Sequence, residues 1–189
     1  GSEMCIRDSY NVVKKYKSST AWGVLDGFSG IILFLAVYYK FTHDDKVLNV
    51  LYEKIEILNA HIQDVKIPTL CGGYSGICWL YRYLEKEQLI ESEDINDSLD
   101  DLEKYICSFY STYLKNDCDF LHGGLGIAIY FSLVESKYCS FIMDSFLQQL
   151  DAKKIVKEPG QCAWKTKLLT KGNWKDVINF SLSHGCLLY

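Results

Sequence analysis

Cys118-Asp119-Phe120-Leu121-His122-Gly123-Gly124-Leu125-Gly126-Ile127, followed by Ala128-Ile129-Tyr130-Phe131, is the stretch whose reading decides the fold. It is one of several copies. Asp26-Gly27-Phe28-Ser29-Gly30-Ile31 and Gly72-Gly73-Tyr74-Ser75-Gly76-Ile77 show the same Gly-x-x-Gly-Ile pattern and also run into aromatic-rich apolar segments. Ser183-His184-Gly185 supplies an incomplete fourth copy. The first glycines, at 27, 73, 123 and 185, are 46, 50 and 62 residues apart. Recurrence at intervals of tens of residues marks one supersecondary unit used several times.

Behind each glycine pair the segment is apolar almost all round: Phe28 to Lys40, Tyr74 to Leu84 and Leu125 to Val134. Such a helix is buried on more than one side. The glycine start, the length and the missing period-two alternation favour helix over strand despite the Ile and Val content. The intervening segments are one-sided. Leu48, Leu51, Ile55, Leu58 and Ile62 step by three and four, with Asn49, Glu53, Lys54 and Glu56 opposite. Ile95, Leu99, Leu102, Ile106, Phe109 and Tyr113 repeat that stripe, as do Cys139, Met143, Phe146 and Leu150. Thr42 with Asp45, and Ser92 with Glu93 and Asp94, read as helix starts, and the acidic run Glu91 to Glu103 reads as a solvated helix face. Alternating buried and amphipathic helices predict an all-α protein with inner and outer helix layers curving into a partial α/α toroid. Glycine at the inner-helix starts permits positive φ and close backbone approach. Pro159 lies in the longer connection before the fourth motif, where punctuation is expected.

In an α/α barrel the inner-helix starts ring one mouth, so the residues just before each Gly-x-x-Gly face a common cavity. The position before the first motif glycine holds Asp26, Gly72, His122 and His184, and Asp119 stands four before Gly123. Two carboxylates and two imidazoles then have a geometric reason to meet, and imidazole is the natural acid/base group near neutral pH. Competing structural readings stand beside this one: an Asp before a helix start can simply cap it, and a loop His can be a hydrogen-bonded structural group. No cysteine has standard zinc spacing, so no metal ligand is assigned within this sequence.

The chain has 189 residues, enough for one domain with a core, and a net charge of −4 that gives no reason to expect nucleic acid as a partner. No apolar run reaches the length of a transmembrane helix. Eight cysteines scattered without CxxC pairs suit reduced thiols in a cytoplasmic protein. Residues 1–9 look foreign: Gly1-Ser2 is a common cloning scar, and Met4 to Ser9 resembles a translated adapter. Cys186 to Tyr189 breaks the fourth repeat in mid-motif. The expectation is a piece of a longer protein, native over 10–185.

Gly27 to Ile31, Cys71 to Ile77, Asp119 to Gly126 and Asn179 to Gly185 together resemble successive repeats of the lanthionine synthetase C-like proteins, the cyclases of lanthipeptide biosynthesis. The resemblance implies a toroid of seven inner and seven outer helices, of which about three and a half repeats are present. It implies addition of a peptide Cys thiol to dehydroalanine or dehydrobutyrine, with zinc holding the thiolate. By the same resemblance His184 is the proton donor or base and Asp119 orients the reacting groups, while His122 and Asp26 line the substrate cavity. The implied partners are a dehydrated precursor peptide and a dehydratase partner or domain. The family's zinc-binding Cys and adjacent Cys-His pair do not occur in this sequence, so the chain alone is expected to be inactive. Two other readings stay open: a cyclase-like peptide- or thiol-binding protein without catalysis, and an α/α-barrel hydrolase using Asp26 and Asp119 as paired carboxylates.

Overall fold

A computed structural model describes residues 2–16, 21–25, 27–116, 118–158, 161–170 and 173–178. Its helices are α1 (Ser2–Lys14), α2 (Phe28–Thr42), α3 (Asp45–His61), α4 (Tyr74–Lys86), α5 (Ser92–Asn116), α6 (Gly124–Ser132) and α7 (Cys139–Lys153), with a short 3-10 turn at Ile62–Asp64. The glycine-started helices α2, α4 and α6 pack in a row, α4 in the middle. The amphipathic helices lie against them: α3 on α2, α5 on α4 and α6, α7 on α6 and α5. The fold class is all-α, as the alternating pattern predicts. The middle helix is the most enclosed, with Tyr74, Ser75, Gly76, Ile77, Cys78, Leu80, Tyr81 and Leu84 buried. On α2 Val37 and Phe41 remain exposed, and beyond α6 so does Leu133.

The amphipathic stripes are rotated slightly from the sequence reading. On α3 the buried residues include Val47, Val50 and Lys54, and Leu48 is only half-buried. Lys54, placed by the sequence on the wet face, has no exposed surface. Its ammonium donates to the Lys14 carbonyl at 3.3 Å and lies 3.4 Å from Glu53. The alkyl stem is buried among apolar side chains while the charge meets the negative end of α1. Glu103, read with the solvated run, is likewise buried. It accepts hydrogen bonds from the Tyr130 hydroxyl at 2.7 Å and the Ser136 hydroxyl at 2.5 Å, and Arg82 lies 3.9 Å away. The start of α3 is capped by Asp44, whose carboxylate accepts from the Lys46 N–H at 2.9 Å. Thr42 instead closes α2, its hydroxyl donating to the Tyr38 carbonyl.

The stretch after α7 is more than a connection. It forms two antiparallel hairpins, β1 (Ile155–Glu158) with β2 (Gln161–Ala163), and β3 (Thr166–Thr170) with β4 (Asn173–Val177). In sequence, Pro159-Gly160 and Lys171-Gly172 stand between the strands of each pair. The hairpins do not pair with each other, and Trp164 ties them to the helices by donating its indole N–H to the Leu150 carbonyl at 2.7 Å. The expectation that residues 1–9 are foreign falls on α1, which the core touches through Tyr10 and Val13.

Candidate functional site

The first two glycine loops share their hydrogen bonds position for position, and the third shares their close backbone approach. The Phe28 N–H donates to the Ala21 carbonyl at 3.0 Å, and the Tyr74 N–H donates to the Ile67 carbonyl at 3.0 Å, both seven residues back. The Ser29 and Ser75 hydroxyls donate to the Trp22 and Pro68 carbonyls, each at 2.6 Å and again seven back. Six residues before the second motif glycine, the carbonyls of Val24, Leu70 and Phe120 press against Gly30, Gly76 and Gly126. A Cβ at any of these glycines would come within 3.0 Å of the carbonyl oxygen. The N-cap glycines have φ of −149° at Gly27, −129° at Gly73 and −114° at Gly123. Those values are open to any residue, so close approach, and not positive φ, is what the motif requires.

Equivalent residues of adjacent loops are also joined. The Leu25 N–H donates to the Cys71 carbonyl at 3.3 Å, and the Cys71 N–H donates to the Leu121 carbonyl at 2.9 Å. Leu25, Cys71 and Leu121 each stand two before a first motif glycine, so a backbone ladder runs from loop to loop across the inner-helix starts. One rung inward, Val24, Leu70 and Phe120 share an apolar groove of about 320 Å³ with Leu33, Trp79 and Ile129. The three loops therefore lie side by side.

On this scaffold Asp119 is 2% exposed, and its Oδ1 accepts the His122 backbone N–H at 2.5 Å. The carboxylate thus shapes the loop that leads into α6. The His122 side chain is exposed. The two meet through the His122 backbone, a contact that the paired side-chain reading did not anticipate. Asp26 and His184 lie outside the described residues. The position equivalent to Asp119 in the second loop is Thr69, also 2% exposed, whose hydroxyl has no hydrogen-bond partner among the described residues.

Among the described residues no group of three or more His, Cys, Asp and Glu side chains could hold a metal ion. Two cysteines, Cys78 on α4 and Cys107 on α5, are poor thiolate donors. Burial pushes the Cys78 thiol far up, with Glu103 adding to the effect, and burial with Glu103 pushes Cys107 up to about 12. The sequence reading also missed Glu103 and its partner Tyr130, whose hydroxyl burial holds firmly in its protonated form. The available signal was position: Glu103 stands four after Leu99 and three before Ile106, on the buried stripe.

The sequence profile of the family described as lanthionine synthetase C-like protein matches residues 18–187. The chain belongs to that family. No curated protein gives a significant match to it. No helix among the described residues is long and apolar enough to cross a membrane.

Proposed function

We propose that this chain carries four of the glycine-marked loops of a lanthionine-forming cyclase, arranged as part of an α/α toroid and acting on a dehydrated precursor peptide supplied by a dehydratase partner or domain. The observation that supports the reading is the family match over 18–187, with a buried carboxylate on the third loop at the inner-helix starts. In the reaction a peptide Cys thiol adds to Cβ of dehydroalanine or dehydrobutyrine. The S–H bond breaks, a C–S bond forms, and the resulting enolate takes a proton at Cα, so atoms and electrons balance between the two reactants.

A thiol with pKa of about 8.5 is mostly protonated at neutral pH and needs activation. Zinc, where the family binds it, supplies that activation; among the described residues no group of side chains could hold the ion. Asp119 is assigned to positioning: held on the His122 N–H, it fixes the third loop where the peptide enters. His184 is assigned the proton transfer, since imidazole can give and take a proton near neutral pH. His122, with its exposed side chain, and Asp26 are assigned to contact the peptide at the mouth.

The test is loss of free thiol from a dehydrated peptide, with zinc supplied, using a longer form that includes the Cys and Cys-His motifs. His184→Ala is expected to slow ring closure by about 10²–10⁴-fold. An unchanged rate would remove His184 from the chemistry. The 189-residue chain, which has no adjacent Cys-His pair, is expected to leave the thiol unconsumed.

A further inference from the structure

A polar recess lies on the side of α4 that faces α3, with its 3-10 turn, and α5. Its volume is about 460 Å³, within the range of ligand-binding clefts. Tyr74 and Tyr81 form part of its floor, seven residues apart along α4 and thus about 10 Å in helix rise. One wall presents Asn59 and Gln63, the other Ser98 and Asp101. No basic side chain lines it.

We propose that this cleft docks an extended peptide segment bearing lysine or arginine. Asn59 and Gln63 are four residues apart, a separation of roughly 6 Å. That matches two residues of extended backbone at about 3.3 Å each, so the two amides meet successive peptide groups on one edge of the segment. The Tyr81 hydroxyl donates to the Asn59 side-chain oxygen. That bond orients Asn59 and leaves its amide hydrogens to face a ligand carbonyl. On the opposite wall Asp101 supplies the anionic partner, and exposed Asp97, one helical turn earlier, extends the same stripe. The neighbouring Asp100 is engaged by Lys137 at 2.7 Å, whereas Asp97 and Asp101 form no ion pair among the described residues. Alternate side chains of an extended segment point to opposite faces, so basic residues can reach the acids while those between them rest on the tyrosine floor. An acidic helix face alone would be ordinary solvated surface. The amide wall and aromatic floor are what make this one a groove.

The choice of a peptide as ligand rests on the peptide-processing reading above, but the test reads binding and not ring closure. A chain that binds yet closes no ring sinks the cyclase and keeps the groove, and the converse result does the opposite. Fluorescein-labelled Lys-Val-Lys-Val-Lys-amide and its Glu-Val-Glu-Val-Glu counterpart are titrated with the 189-residue chain and followed by anisotropy. The lysine peptide is expected to bind at least tenfold more tightly. Asp101→Asn is expected to reduce that preference at least threefold, and Gln63→Ala to weaken binding while keeping the preference. Asp144→Asn, on exposed α7 surface, is expected to change nothing. Equal affinity for the two peptides overturns the proposal, as does an equal loss in Asp101→Asn and Asp144→Asn, which would mean diffuse attraction. A change of association state in Asp101→Asn by sedimentation, with peptide affinity untouched, overturns it too, by making the cleft a contact between copies.

Discussion

Four residues before the first motif glycine, the second loop carries Thr69 and the third carries Asp119, each 2% exposed. The backbone around them follows one plan. Leu70 and Phe120 press their carbonyls on Gly76 and Gly126, and the ladder bond from Cys71 to Leu121 sets the loops side by side. Yet Asp119 accepts a hydrogen bond from His122 N–H, while the Thr69 hydroxyl has no partner among the described residues. One residue before the glycine the contrast recurs, Gly72 against His122. The repeat therefore fixes where a side chain stands, and the residue placed there decides whether the position has chemistry. At these two positions the second loop carries no acidic or basic side chain, and the third carries Asp119 and His122.

The shared part of that plan is the easiest to break and should break hardest. A Cβ at Gly126 would collide with the Phe120 carbonyl and also lie 2.9 Å from the Leu70 Cβ of the neighbouring loop. At Gly76 the clash is with the Leu70 carbonyl, and Val24 Cγ2 stands 3.2 Å away. At Gly30 only the Val24 backbone is met. Gly126→Ala is expected to cost about 3 kcal/mol, after allowing for the helix propensity that alanine gains. For a chain of this size that lowers the melting temperature by roughly 6–12 °C. Gly76→Ala should cost nearly as much and Gly30→Ala least, as read by thermal denaturation. Equal, small effects at all three would mean that the loops yield and the contact is not what the glycines preserve.

How much of this was legible beforehand depends on the kind of signal. Helix type followed from period: residues apolar all round became α2, α4 and α6, and one-sided residues became α3, α5 and α7. The glycines' recurrence marked the inner-helix starts, because no other residue fits beneath a crossing carbonyl. Lys54 and Glu103 were misplaced because periodicity scores them by polarity, whereas each is buried against a specific partner, the Lys14 carbonyl and the Tyr130 hydroxyl. Such partners come from distant elements and leave no mark on local pattern. The hairpins after α7 escaped for a different reason: their strands are three to five residues long, too short for alternation to stand out. At the site, Asp119 was found by its motif, but its bond to the His122 backbone depends on the loop's conformation.

The differing part of the plan calls for a paired substitution. Asp119→Ala removes the acceptor of a charge-assisted bond and leaves the His122 N–H without it, at an expected cost of about 2 kcal/mol. Thr69→Val keeps the shape and removes a buried hydroxyl that bonds nothing, so stability should stay level or rise by up to about 1 kcal/mol. Chemical denaturation of the two variants gives opposite signs if the loops differ as described. A loss of equal size in both would show that Thr69 has a partner and that the second loop, too, is polar in function.

The smallest expected effect separates the first loop from the second. Ser29 and Ser75 make the same 2.6 Å bond to a buried carbonyl seven residues earlier, and the third loop has Leu125 in that position. Removing either hydroxyl should cost on the order of 1 kcal/mol. The two carbonyls are not equally provided for. Pro68 also accepts the Ser75 backbone N–H at 3.3 Å, whereas the Ser29 hydroxyl is the one donor found for Trp22 among the described residues. Ser29→Ala therefore leaves an acceptor unmatched and should be costlier than Ser75→Ala by a few tenths of a kcal/mol. Equilibrium unfolding of both variants tests the order. If Ser75→Ala proves the worse, the backbone N–H at 3.3 Å does not substitute for a hydroxyl, and the third loop must hold its Cys118 carbonyl by some other means.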